Sequence, residues 1–259
     1  EFEKYWKLIS TNFHFFFKTE SSLEKLKDTL LKLGIMGKLV HQNTNDETAN
    51  ELIIKIKKEN NKRLKNGNKK KQKLFEKIND SDKKPFKLPG GWEWIRLGEI
   101  IKISSGDGLT SAKMNKSGKV PVFGGNGING YHDRSNVNKK TLVIGRVGYY
   151  CGSIHLTPDN AWITDNAFIT YFSESNLNLE YLYWLLKITN LKGNEKATAQ
   201  PVISGAKIYP IIIGLPPLKE QSRIAKKINN IMKLYDQMIS QIQKLNKKKY
   251  EITNVLIEE

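Results

Sequence analysis

Several stretches of this sequence carry residue types that could do chemistry, and each lacks the company its chemistry requires. Gly125-Asn126-Gly127-Ile128-Asn129-Gly130 matches the G-x-G-x-x-G dinucleotide fingerprint, but Tyr131 to Asn136 has no amphipathic helix pattern to hold a pyrophosphate, and no acidic residue stands where a ribose would need one. Phe123-Gly124-Gly125-Asn126-Gly127 has the F-x-G-x-G form of a methyl-donor loop, yet the only Pro-Pro pair lies in Leu215-Pro216-Pro217-Leu218, without the Asp/Asn-Pro-Pro-aromatic tetrapeptide of amino methylation. Ser204-Gly205-Ala206-Lys207 fits S-x-x-K with neither S-D-N nor K-T-G, so Ser204 reads as the cap of a short turn. Pro158-Asp159 is followed by no Glu/Asp-x-Lys, and there is no G-x-x-x-x-G-K-[ST] phosphate loop. Cys151 is the only cysteine and the four histidines are scattered, which argues against a disulfide or a metal site. The chain reads as non-catalytic, with no cofactor and no metal of its own.

Glycine-rich loops remain, and glycine lets a backbone approach a ligand more closely than a side chain would allow. Lys113, Asn126, Lys139, Lys140, Arg146, Thr198 and Gln200 lie in or beside such loops. Asn, Gln and Arg have the paired donors and acceptors that read base edges, and Lys pairs with phosphate. For Arg146, between Gly145 and Gly148, pinning a loop is the alternative role. A second candidate is the basic run from Lys55 to Lys84, where thirteen Lys or Arg residues, Lys69-Lys70-Lys71 among them, face four acidic ones. It could lie along phosphates, or it could be a solvated helix face running into a basic loop.

The elements that must carry these loops follow from periodicity. Residues 1–20 hold Phe2, Tyr5, Trp6, Phe13, Phe15, Phe16 and Phe17, too aromatic for a solvated tail. Leu23, Leu26, Leu30 and Leu33 have helical spacing that Gly34 and Gly37 should end. Thr44-Asn45-Asp46-Glu47 has the form of a capping box for a second helix, whose apolar face is Leu52, Ile53, Ile56 and Leu64. After Pro85 the composition changes. Trp92 to Ile103 reads as buried strand, with β-type runs at Val120 to Phe123, Thr141 to Ile144 and Ala167 to Phe172, a helix from about Asn178 and a strand in Tyr209 to Leu215. From Pro217 to Glu259 there is no internal Gly or Pro. Ile224, Ile231, Met238, Leu245 and Ile252 recur every seventh residue, with Ile228, Tyr235, Ile242, Lys249 and Leu256 four places later. That spacing predicts a long helix with a coiled-coil seam, entered through Pro216 and Pro217.

The formal net charge of +17 suits a polyanionic partner, although abundant Lys, Asn and Ile also fit a bias toward AT-rich codons, which weakens the argument. No apolar run approaches the ~20 residues of a bilayer span, and the first residues lack a signal-peptide pattern, so the expectation is a cytoplasmic protein with no membrane partner.

Together these stretches resemble the specificity subunit of a type I restriction-modification enzyme. The resemblance rests on Leu88-Pro89-Gly90-Gly91-Trp92-Glu93-Trp94, Val122 to Tyr131, Ile144-Gly145-Arg146-Val147-Gly148, Thr164-Asp165-Asn166-Ala167 and Leu215-Pro216-Pro217-Leu218-Lys219-Glu220-Gln221, with Gly37 to Val40 and Asn45-Asp46-Glu47 upstream. It implies an α+β chain with residues 1–85 as a helical region with a basic linker, 86–216 as a mixed α/β target-recognition domain, and 217–259 as a spacer helix of an antiparallel coiled coil. It also implies double-stranded DNA as ligand, with methylation subunits that bring S-adenosylmethionine and a restriction subunit as partners. The family usually has two recognition domains and this sequence has one, so the expectation is a half-length subunit or a fragment. Two copies could join as a homodimer through Ile224, Ile228, Ile231, Tyr235, Met238, Ile242 and Leu245, or the chain's own N-terminal helices could fill that seam. The rival reading is a helical adaptor acting mainly through protein contacts.

Overall fold

Short apolar runs between glycine-rich turns become the strands. The computed structural model describes residues 11, 17–65, 75–192 and 201–258. Lys69, Lys70, Lys71, Thr198, Gln200 and the aromatic residues from Phe2 to Phe16 lie outside the described residues, as do the side chains of Leu64 and Leu256. Contacts divide the chain into two units, residues 1–40 with 224–259 and residues 41–223. Residues 41–85, expected with the N-terminal helices, therefore group with the β-rich unit.

In that β-rich unit the elements run α2 (Ala49–Lys65), β1 (Glu93–Arg96), α3 (Leu97–Ile100), β2 (Ile101–Ser105), β3 (Val120–Gly124), β4 (Gly127–His132), β5 (Leu142–Gly145), β6 (Ile154–Leu156), β7 (Trp162–Ile163), β8 (Ala167–Phe172), α4 (Leu179–Ile188), α5 (Gly205–Ile208) and β9 (Ile212–Leu215). The strands form a pair β1-β9, a four-stranded sheet β2-β8-β5-β6 and a three-stranded sheet β4-β3-β7. Phe123, Val143, Ala161, Ile163, Ala167 and Ile169 make one buried cluster that joins the two larger sheets. Burial of such side chains, each contributing about 1.5–3 kcal/mol, is what holds the loops at the strand ends in place.

The runs at Val120, Leu142 and Ala167 are strands as expected, and Asn178 caps α4 by accepting from the Tyr181 N–H at 2.9 Å. The apolar stretch from Trp92 to Ile103 is interrupted by one helical turn, α3, between β1 and β2. Ser204 occupies the N-cap of α5 but donates or accepts no side-chain cap bond; its carbonyl accepts from the Lys207 and Ile208 N–H groups.

The cap of α2 differs from expectation. Thr48 and Glu51 form the reciprocal pair, with Thr48 N–H donating to Glu51 Oε2 at 2.8 Å and Glu51 N–H to Thr48 Oγ1 at 3.3 Å. Thr44 to Glu47 cannot cap, because Asn43 to Asp46 is a turn closed by the Asp46 N–H on the Asn43 carbonyl, and the Asp46 carboxylate pairs with Arg223 at 2.7 Å. Residues 41–85 are fastened to the β-rich unit at several points. Leu52 and Ile56 on α2 are buried, Ala49 N–H donates to the Gly91 carbonyl, Phe75 meets Tyr209 edge-on, and Arg96 pairs with Asp82 at 3.1 Å.

In the other unit α1 (Glu20–Ile35) runs antiparallel along α6 (Leu218–Glu258), the latter crossing from one unit into the other. Gly34 abuts Ile228, while Glu24 accepts from the Tyr235 hydroxyl and the Lys27 ammonium lies 4.8 Å from the Tyr235 ring. Gly34 does not end α1, as its pattern suggested. A Cβ there would stand 3.0 Å from Ile228 Cδ1, so the missing side chain permits close packing, and Gly37, at φ +69°, is the residue past the helix end. Ile224 and Ile228 are fully buried within the chain, which removes them from the surface open to a second copy.

Candidate nucleic-acid interface

The β3-β4 hairpin sets the first edge of a cleft. Its register slips between Val122 and Phe123, and Gly127 adopts φ +94°, so the chain reverses sharply at Gly125-Asn126 and leaves Asn126 exposed at the tip. This is the stretch that mimicked a dinucleotide fingerprint; it is a hairpin with no helix behind it. The second edge is the loop after β5. A Cβ on Gly145 would stand 2.2 Å from the Gly125 carbonyl oxygen, so only glycine lets the two backbones come this close.

Asn126, Asn129 and Asn166 line the cleft together with Val147 to Tyr150. Tyr149 is 80% exposed and Tyr150 53%, their rings edge-to-face at 5.1 Å. Exposed aromatic rings on a tied loop offer a fixed apolar surface with a polar tip. This loop is tied, since Gly148 N–H donates to the Pro201 carbonyl, Cys151 N–H to that of Gly148, and Lys192 Nζ to that of Tyr149 at 3.0 Å.

Arg146 pins this arrangement. Its Nη1 is 3.2 Å from both Ser105 Oγ and the Asp165 carbonyl, its guanidinium stacks 5.5 Å from the Phe168 ring, and its backbone N–H donates to the Asn166 carbonyl. Of its two expected roles the structure shows the loop-pinning contacts. The Asn126 and Arg146 loops are thus brought together, whereas Lys139 and Lys140 precede β5 and stand at the other end of that strand from Arg146. Lys139 pairs with Glu174, and both lysines border a separate hollow with Asn136 and Tyr171. Lys113 ends a single 3-10 turn, Ser111–Lys113, beside the outer part of β4.

Asn129, Asn166, Tyr149, Tyr150 and Lys192 were not singled out from sequence. The available signal was Tyr149-Tyr150 framed by Gly148 and Gly152, a pair of aromatics where turn residues dominate. Among the described residues no group of three or more His, Cys, Asp or Glu is placed to hold a metal, and no helix is long and apolar enough to cross a membrane.

The family model for the type I restriction modification DNA specificity domain matches residues 89–248, and the chain belongs to that family. It is 28% identical to the type I restriction enzyme EcoEI specificity subunit of Escherichia coli over 287 residues, covering 99% of this chain and 48% of that protein. A shorter stretch of 106 residues, 41% of this chain and 18% of the relative, is 47% identical to the EcoAI specificity subunit of Escherichia coli. A solved chain described under complex assembly and conformational transition of the type I R-M system superposes with a TM-score of 0.52 at 17% identity, covering 88% of this chain and 54% of that one. The chain spans about half the length of the EcoEI relative.

Proposed function

We propose that this chain is a non-catalytic, sequence-specific DNA-binding specificity subunit of a type I restriction-modification system, directing methylation and restriction subunits to a bipartite site in double-stranded DNA. The observation that carries this is the cleft: the exposed residues Asn126, Asn129 and Asn166 lining it together with the Tyr149-Tyr150 pair, within the segment that matches the DNA specificity family. Amides pair bidentately with adenine edges and aromatic rings offer contact to a thymine methyl. In this reading the methylation subunits bring S-adenosylmethionine and the complex works in the cytoplasm. Reconstituting the chain with its methylation subunits and sequencing the modified genomic DNA tests it. A fixed split motif is expected, and methylation without sequence preference would overturn the reading.

We assign the part of α6 beyond Tyr235 to a second copy. Among the described residues the α1 contacts reach Tyr235; beyond them Met238 and Ile242 are half-buried, while Leu245 and Ile252 are 60% and 61% exposed. An apolar stripe of this width needs a partner helix. An antiparallel coiled coil of two such helices would separate two recognition units and suit a two-fold symmetric split site. Met238→Asp places a carboxylate in that contact and should turn the dimer into monomers in light scattering. A wild-type chain that is monomeric at tens of micromolar would overturn the dimer.

A further inference from the structure

Beneath the hairpin tip lies a hydrogen-bond chain that connects the four-stranded sheet to Asn126. Ser153 Oγ donates to the Gly125 carbonyl at 2.8 Å, and His155 Nε2 lies 2.9 Å from the same hydroxyl oxygen. A hydroxyl has one proton, and a carbonyl can only accept, so Ser153 Oγ must accept its second bond from the imidazole N–H. The ring therefore carries a proton on Nε2. The serine proton is committed to a backbone carbonyl, which rules out reading the pair as a nucleophile with its base.

Both residues are held from below. His155 pairs with Val143 in the β5-β6 ladder, and the Ser153 backbone exchanges bonds with Gly145 and Tyr150. The His155 ring lies 6.4 Å from that of Phe123, and a Cβ on Gly127 would stand only 3.2 Å from its Cε1, so the ring reaches the hairpin because residue 127 has no side chain. The carbonyl they grip belongs to the peptide that joins Gly125 to Asn126. Holding that oxygen fixes the peptide plane and with it the direction in which Asn126 leaves the backbone. Burial, with the charge of Lys187 nearby, pushes the imidazole below its ordinary pKa.

We infer that Ser153 and His155 are positioning residues that fix the Gly125-Asn126 peptide and thereby determine the base preference that Asn126 confers. This rests on the DNA-reading assignment of the cleft. Gln in place of His155 keeps an N–H donor toward Ser153, whereas Ala removes it.

The full-length chain and its Ser153→Ala, His155→Ala and His155→Gln variants should be compared by amide hydrogen exchange without DNA, and by selection from half-site libraries randomised one position at a time. Both Ala variants should exchange faster at Gly125 to Gly127 and lose discrimination by about tenfold at one base position. Their salt dependence on random DNA should match wild type, and His155→Gln should restore both readouts. Unchanged exchange and unchanged preference in folded Ala variants would overturn the inference. So would an equal loss on every sequence that Gln fails to rescue, since that is what a merely structural role produces. Faster exchange at the tip together with a wild-type chain that prefers no base anywhere would uphold the positioning and overturn the DNA assignment instead.

Discussion

At the start of α6 the polar side chains turn inward, whereas at the hairpin tip they turn out. Gln221 is fully buried; its amide donates to the Pro216 carbonyl and its oxygen accepts from the Asn178 N–H, both at 3.0 Å. Glu220 beside it is 1% exposed and accepts from Gln42 at 3.0 Å. Asn126, with the same amide chemistry as Gln221, is exposed. A buried amide with every partner supplied by the chain stabilises the fold and has nothing left to offer a ligand. An exposed one on a braced loop contributes little to stability and keeps its donors and acceptors free to read. Motif membership does not separate the two, because both belong to stretches that resemble the same family.

The largest effect that would break this contrast is at Gln221. Gln221→Ala leaves a buried N–H and a buried carbonyl unpaired, at a cost of about 2–5 kcal/mol in urea denaturation, while the folded fraction should keep its base preference. Preserved stability would mean that the junction is not structural. Next comes Asn126→Ala, with the opposite signature. It should cost about 1–3 kcal/mol of discrimination at one base in half-site competition, yet shift unfolding by no more than ~0.5 kcal/mol.

A smaller effect concerns the lysines at the far end of β5. Lys140→Ala should lower affinity on all sequences alike and reduce the log-log salt slope by about 1 if Lys140 meets a phosphate. An unchanged slope would confine the interface to the Asn126 cleft.

The smallest expected effects are in pH, and they have opposite signs in the two regions. Burial, only partly offset by the Gln42 hydrogen bond, raises the Glu220 carboxyl above its ordinary value. Its contribution is present below the unfolded carboxyl pKa and is lost as pH rises through the folded one. Burial lowers His155, so its contribution is present above the unfolded imidazole pKa and is lost as pH falls through the folded one. In chemical denaturation between about pH 4.5 and 6.5, Glu220→Gln should therefore lose a fall in stability with rising pH and His155→Gln should lose a rise, so the slopes of the two variants shift from wild type in opposite directions. Parallel changes would show that the two groups do not titrate as their surroundings require.

What the sequence determined alone is local. Seven-residue recurrence from Ile224 onward, two prolines before Leu218 and an Asn at 178 specify where α6 and α4 begin, because periodicity and capping depend on neighbours within one or two turns. The apolar runs at Val120, Leu142 and Ala167 specify strands for the same reason. Only the tertiary structure decided which polar groups are free. It drew Asp46 into a pair with Arg223 and so moved the α2 cap to Thr48, set Arg146 against Ser105 and Asp165, and put Lys140 at the opposite end of β5 from Arg146. It also brought Asn166, some forty residues along the chain, to the same cleft as Asn126, Tyr149 and Tyr150. Nothing within one turn of these residues distinguishes an amide that faces water from one that faces a carbonyl. That difference is made by backbones packing at glycine contacts, where the deciding distance lies between residues far apart in sequence.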